Sequence, residues 1–304
     1  MSYSRRHEIG ARPGLPVTTI TSPAPAAELA ERHGLSPSSA RPSFGAYLAQ
    51  LWQRRHFITA FATSRTVSQY SSSTLGQLWQ VLTPLMNAAV YFLIFGILFQ
   101  TAKSVENFVA FLVTGVFVFT FTQRSVTSGA RSISGNLALI RALHFPRAAL
   151  PLAFTIVELQ QLLVSMVVLC IIVLATGEPL TFAWLLAIPA LALQTVFNLG
   201  LSLFIARVGS RLPDISQLLP FITRTWLYMS GVFFVIPDRI PAGPLRDIMQ
   251  ANPGAIYIEL VRDALIDTHS APQLAWVLAA GWAVVAFCAG IMYFWAGEER
   301  YGRG

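Results

Sequence analysis

The stretch "NPGAIYIELVRDALID", residues 252–267, opens like a helix: Asn252 is a good N-cap, and Pro253 sits where a first turn tolerates proline. With helical periodicity, Ile256, Tyr257, Leu260, Val261, Ala264 and Leu265 share one face. Glu259, Arg262, Asp263 and Asp267 share the other, and Ile266 is the exception. A helix of about sixteen residues is about 24 Å long, short of the ~30 Å hydrocarbon core of a bilayer. It therefore lies on a surface, although strongly apolar stretches flank it on both sides.

Those flanks define the class. Hydrophobic residues make up 54% of the 304 and charged residues only 12%, against roughly 25% charged in a soluble domain. The chain reads as an all-α integral membrane protein. Six stretches, 78–99, 108–126, 152–175, 181–206, 217–236 and 273–296, reach the length a spanning helix needs. With the N-terminus inside, the loops outside hold Lys103, Arg239, Arg246 and Arg262, Arg224 falls within span five, and every other basic residue is inside. That is the positive-inside pattern, with both termini cytosolic and the protein multi-pass in the plasma membrane. The same pattern accounts for the net charge of +7 without nucleic acid.

Four further segments follow. Residues 1–42, rich in Pro, Ala, Ser and Arg, read as a disordered cytosolic arm. Residues 43–77 carry Phe44, Tyr47, Leu48, Leu51, Ile58 and Phe61 at helical spacing, with Arg54, Arg55 and Arg65 among them. This predicts an amphipathic helix in the membrane interface, its arginines toward lipid phosphates; a soluble helix packed on a partner is the alternative. The transmembrane domain occupies 78–296, with a cytosolic loop at 127–151 and a cytosolic tail at 297–304. Between spans five and six, residues 237–272 hold two helix signatures, one from Pro244 and one from Asn252. They predict an outer re-entrant hairpin, which needs protein or a water-filled cavity to satisfy its backbone.

No enzyme motif is present. A phosphate-binding loop needs a lysine after glycine, and Lys103 follows alanine. His7, His33, His56, His144 and His269 include no pair at metal-ligand spacing. Cys170 and Cys288 lie in apolar spans and read as packing residues. Glu158 and Arg224 fall inside spans three and five at similar depth, which makes them a candidate intramembrane ion pair within one subunit or across a dimer. Snorkelling to the interface is the alternative for each.

Several segments together resemble one family. "YSSSTLGQLWQVLTPL", residues 70–85, resembles the entry to the first span of ABC-2-type permeases of the Wzm and TagG kind, through Tyr70, Ser73, Leu75, Gly76, Leu78, Trp79 and Pro84. Gln69 stands where that pattern has a basic residue. "IRALHFPRAALPLA" resembles the family's cytosolic loop at Phe145, Pro146, Leu150 and Pro151, and "WLYMSGVFFVIPDRIP" its fifth span and exit. Asn252, Pro253 and Arg262 match its outer hairpin. Pro213-Asp214 replaces the family's Arg-Asp after span four. The resemblance covers about residues 43–300, and the arginine bias and Pro/Ala-rich arm are similar to mycobacterial members that export lipid-linked galactan.

The resemblance implies the ABC-2-type exporter fold: six spans, an interfacial helix and an outer hairpin. It implies a homodimer working with two copies of a separate ATPase, which binds ATP and magnesium while this chain binds neither. The cargo would be lipid-linked polysaccharide. Its path would run between the two permeases, lined by Tyr91, Phe92, Phe95 and Phe99 on span one and Trp226, Tyr228, Phe233 and Phe234 on span five. Aromatic faces stack on sugar rings, although a phenylalanine-rich helix facing lipid is the alternative for each. Arg141, Leu143, His144, Phe145, Pro146 and Arg147 would couple the ATPase to the spans, and Asn252, Pro253, Glu259, Arg262 and Asp263 would frame the exit. Competing functions are an ABC-2 permease for drugs or small lipids, and a six-span channel or scaffold without an ATPase.

Overall fold

The computed structural model describes residues 42–70, 74–99, 105–143 and 145–301. The arm up to residue 41, Ser73, Lys103, His144 and the last residues of the tail lie outside them. Regular structure among the described residues is entirely helical. Five helices are long and apolar enough to cross a membrane: Trp79–Leu98, Phe108–Arg131, Ala149–Ala175, Phe182–Arg211 and Ala275–Trp295. This is a multi-pass membrane protein.

In chain order, α1 is Phe44–Gln53 and α2 is Arg55–Tyr70. The predicted interfacial helix is thus broken once, at Arg54. Tyr47, Leu51, Ile58 and Ala62 are buried against α6 (Ala149–Ala175) and its neighbours, while Arg54, Arg55 and Arg65 are exposed. Helix α3, Trp79–Tyr91, runs into a π-helical turn at Phe92–Leu98. Helices α4 (Phe108–Arg131), α7 (Ala187–Arg211) and α12 (Ala275–Trp295) complete the long set, and α5 is the short Leu137–Ala142. Helix α4 is the centre of the molecule, buried on nearly all sides. Small residues at Ala190 and Gly200 on α7 and Ala279, Ala283 and Gly290 on α12 let those two helices approach closely.

The stretch 217–236, expected as a full span, is helical only as α8, Ile215–Met229. It ends at Ser230, and Gly231 takes φ +65°, a left-handed conformation that glycine adopts without steric cost. The chain then runs without helix to α9 (Ile236–Arg239), α10 (Pro244–Ala251) and α11 (Pro253–Leu265).

Buried side chains form two main clusters. One gathers Tyr47, Ile133, Leu150, Leu203, Phe294 and Tyr301 at the arginine-rich end of the bundle. The other packs Phe111, Phe117, Phe197, Phe233, Tyr257 and Val261 toward the opposite end. Helix α11 is held there by packing and by the Tyr257 hydroxyl, which donates to the Ala279 carbonyl at 2.9 Å.

Candidate functional site

The residues expected to line a path meet in a seam between α3 and the end of α8. Phe233 is fully buried, stacked on Phe95 at 4.4 Å, edge-on to Tyr91 at 4.7 Å and tilted against Tyr228 at 5.3 Å. Phe95 in turn stacks on Phe99 at 5.8 Å. Phe99 and Tyr228 are exposed, so the seam has a closed centre and an open edge. Phe92 packs on Phe108, and Phe234 turns toward Ile236 and Met249. Trp226 has a structural bond: its indole N–H donates to Asn252 Oδ1 at 2.6 Å.

Asn252 caps α11 as its sequence position requires. Its Oδ1 also accepts from the Gly254 amide at 3.1 Å, and its Nδ2 donates to Ser230 Oγ at 3.0 Å. One side chain therefore joins the start of α11 to the end of α8.

Arg262 overturns the reading of a water-facing polar face on α11. It is 0% exposed. Its Nε and Nη2 donate to the Phe111 carbonyl at 3.2 and 3.1 Å, and Nη2 also reaches Val232 O at 2.9 Å. Nη1 reaches Gly231 O at 2.9 Å and Glu259 Oε1 at 3.0 Å. All five N–H donors of the guanidinium are thereby used, and its Cζ lies 3.3 Å from the centroid of the Phe111 ring. Burial lowers the Arg262 pKa to about 10, which leaves it charged at neutral pH. A β-carbon at position 115 would sit 2.6 Å from Arg262 Nη2, so Gly115 on α4 makes room for the arginine. Residues so placed cannot be found by periodicity, because their partners are carbonyls of distant segments.

Glu259 is shared. His269 Nε2 lies 2.6 Å from its Oε2 while Arg262 holds Oε1. Burial raises the carboxyl's pKa, but the His269 hydrogen bond and the Arg262 charge outweigh it and hold it below the usual range. Asp263 is half-buried and accepts from the Ala271 amide at 2.9 Å, and Asp267 is exposed.

At the arginine-rich end, Glu298 is buried and gathers three segments. Tyr47 Oη donates to its Oε2 at 2.8 Å, and the Arg147 amide donates to its Oε1 at 2.9 Å. The Arg147 guanidinium also bonds the Glu298 carbonyl. Burial pushes the Glu298 carboxyl up from its usual value, opposed by these bonds. Of the expected coupling residues, Leu143 and Arg141 are exposed, Phe145 packs on Phe57 at 5.4 Å, and Pro146 is buried. No local pattern marks Glu298, whose partners lie 151 and 251 positions away.

Glu158 and Arg224 do not pair within one chain. Glu158 faces Arg124 on α4, whose Nη1 donates to Gln161 at 2.8 Å, and Glu158 Oε2 has no hydrogen-bond partner. Arg224 is exposed on α8, on the side of Tyr91. Similar depth set the expectation, but within one chain Glu158 lies beside Arg124 and Gln161, and Arg224 lies near Tyr91. No cluster of three metal-ligating side chains occurs among the described residues.

Residues 58–266, from α2 to the end of α11, match the model of the ABC-2 type transporter. The chain belongs to the ABC-2 type transporter family. The match includes the aromatic seam and the Arg262 clamp. Among curated relatives of this ABC-2 chain is the O-antigen export system permease protein RfbA of Klebsiella pneumoniae, 27% identical over 200 residues, which covers 66% of this chain and 76% of that protein. The protein of the same name from Myxococcus xanthus is 23% identical over 253 residues, covering 83% of this chain and 96% of its own length.

Proposed function

We propose that this chain is the permease subunit of an ATP-driven exporter that moves lipid-linked polysaccharide from the cytosol to the outer side of the plasma membrane. The aromatic seam is the observation that carries this reading. Its open edge, with Phe99 and Tyr228, adjoins broad exposed apolar faces: Met86 and Val90 on α3, Leu93 in the π-helical turn after it, and Leu218, Phe221 and Ile222 on α8. Two copies set face to face across these helices enclose a path whose walls are aromatic. Aromatic rings contact the apolar faces of sugars without gripping them through many hydrogen bonds. The names of the relatives point to the same cargo class.

In this reading α8 and the irregular segment after it complete a sixth crossing, which puts both termini in the cytosol. Irregular backbone at membrane depth is tolerated where protein satisfies it, and Arg262 does so for Gly231 and Val232. Helices α9 to α11 then form the outer re-entrant hairpin. A separate ATPase, in two copies, binds ATP and magnesium and drives the spans through Leu143–Arg147. The lineage resemblance makes galactan the first cargo to test. Conditional depletion of the protein should make one lipid-linked glycan accumulate in the cytosolic leaflet. Normal surface glycan with no such accumulation refutes the proposal.

A further inference from the structure

We propose that the cleft between α9, α10, α11 and the start of α12 is a sugar-binding site that takes one neutral, hydroxyl-bearing residue of the glycan as it leaves. The inference rests on the export reading above, and it concerns a place outside the seam. The cleft holds about 310 Å³, at the small end of the ~300–1,000 Å³ range of small-molecule sites. Its floor is aliphatic, from Ile236, Ala255, Ile256 and Leu278, and suits the C–H face of a saturated ring.

Its polar groups are mainly acceptors. Asp247, Gln250, Glu259, His269 and Ser270 line it. Ionised carboxylates accept hydrogen bonds and donate none, so the cleft favours a ligand rich in hydroxyl donors and disfavours phosphate. It also gives little pull to a free cation at its inner end, because the Glu259 charge is already met by Arg262 at 3.0 Å. Glu259 is fixed in place, with one oxygen on Arg262 and the other on His269. An imidazole that donates through Nε2 keeps Nδ1 as an acceptor when neutral, and the second lone pairs of the carboxylate remain for a ligand. These groups are set before any ligand arrives, which lowers the ordering cost of binding.

Position supports the assignment. Phe233 closes the centre of the seam, and two residues later Val235 lines the cleft, followed by Ile236. One short segment thus separates the two. Among the described residues no Phe, Tyr or Trp lines the cleft, so the hold on a sugar is weak, as a moving polymer requires.

The test is saturation-transfer NMR on the full-length chain in phosphatidylcholine nanodiscs, with methyl β-galactopyranoside and methyl β-galactofuranoside as probes. Ethanolamine and inorganic phosphate serve as charged controls. Ring C–H saturation is expected for at least one glycoside, falling fivefold or more in Gln250→Ala and in Leu278→Trp. Neither position is buried, so both variants should fold, which their melting profiles check. No glycoside signal, a signal in both variants equal to that of the parent, or variant-sensitive binding of ethanolamine alone overturns the proposal. Nanodiscs doped with monogalactosyl diacylglycerol separate the two sources of sugar. Saturation confined to that lipid headgroup overturns the glycan assignment. A silent cleft in a protein whose depletion still traps lipid-linked glycan refutes the cleft and leaves the exporter reading intact.

Discussion

Arg262 and Glu298 are both buried charges that tie loops to long helices at opposite ends of the bundle, and they are satisfied by different means. Arg262 spends most of its donors on backbone carbonyls from α4 and the segment after α8, which cannot leave without unfolding. Glu298 relies on the Tyr47 hydroxyl and on Arg147, whose side chain is 20% exposed. The first arrangement is a fixed clamp. The second joins α1, the loop before α6 and the end of α12 through groups that can part and re-form. A transporter needs both kinds: rigid support where irregular backbone is buried, and a breakable joint where motion is passed on.

The sharpest way to break this contrast is Arg262→Met. It strands the carbonyls of Phe111, Gly231 and Val232 and leaves Glu259 with only His269, and loss of one partner from a buried pair costs about 3–5 kcal/mol. Thermal unfolding in detergent should show a large drop, with Arg262→Lys in between. A melting profile like that of the parent would show that the clamp does not hold the fold. Gly115→Ala should act on the same clamp through overpacking, at about 1–3 kcal/mol. Because it displaces the same guanidinium, its effect and that of Arg262→Met should be less than additive. Strict additivity would separate Gly115 from the clamp.

At the other joint, Glu298→Ala removes the acceptor shared by Tyr47 and Arg147, a cost of about 1–3 kcal/mol for buried donors left unmet. Glu298→Gln keeps the shape and should cost less. If the joint passes motion, both variants should export less glycan per ATP hydrolysed while inserting normally. Unchanged coupling in both would reduce Glu298 to a structural role.

The smallest effect is in pH dependence, and it has opposite signs at the two ends. The depressed Glu259 carboxyl contributes stability that is present above its ordinary value of 4.5 and is lost as pH falls through the folded pKa. The raised Glu298 carboxyl contributes stability below 4.5 that is lost as pH rises through its folded pKa. Melting temperatures of Glu259→Gln and Glu298→Gln against the parent, followed across acidic pH, should therefore diverge in opposite directions. Parallel curves would mean that the two carboxyls share one environment.

The sequence by itself determined the apolar stretches, their order and the start of α11. Those depend on length, composition and local capping, and Asn252 does bond the Gly254 amide as an N-cap should. The family resemblance named aromatic residues of spans one and five as the walls of a path, and that Phe95 and Tyr91 pack on Phe233 within one chain came only with the fold. Tertiary structure alone decided where the charges went. Periodicity assigned Arg262 to water, because a polar residue on the polar side of a helix carries no sign of three carbonyls waiting across a glycine. Depth matched Glu158 with Arg224, whereas within one chain Glu158 faces Arg124, because sequence gives height along a helix and not the direction a side chain faces. Only α8 failed as a continuous span, since the turn at Gly231 depends on the acceptors and donors that meet it from other parts of the chain. Local signals are written in neighbouring residues. The destination of a buried charge is set by long-range partners, and only the folded chain brings those together.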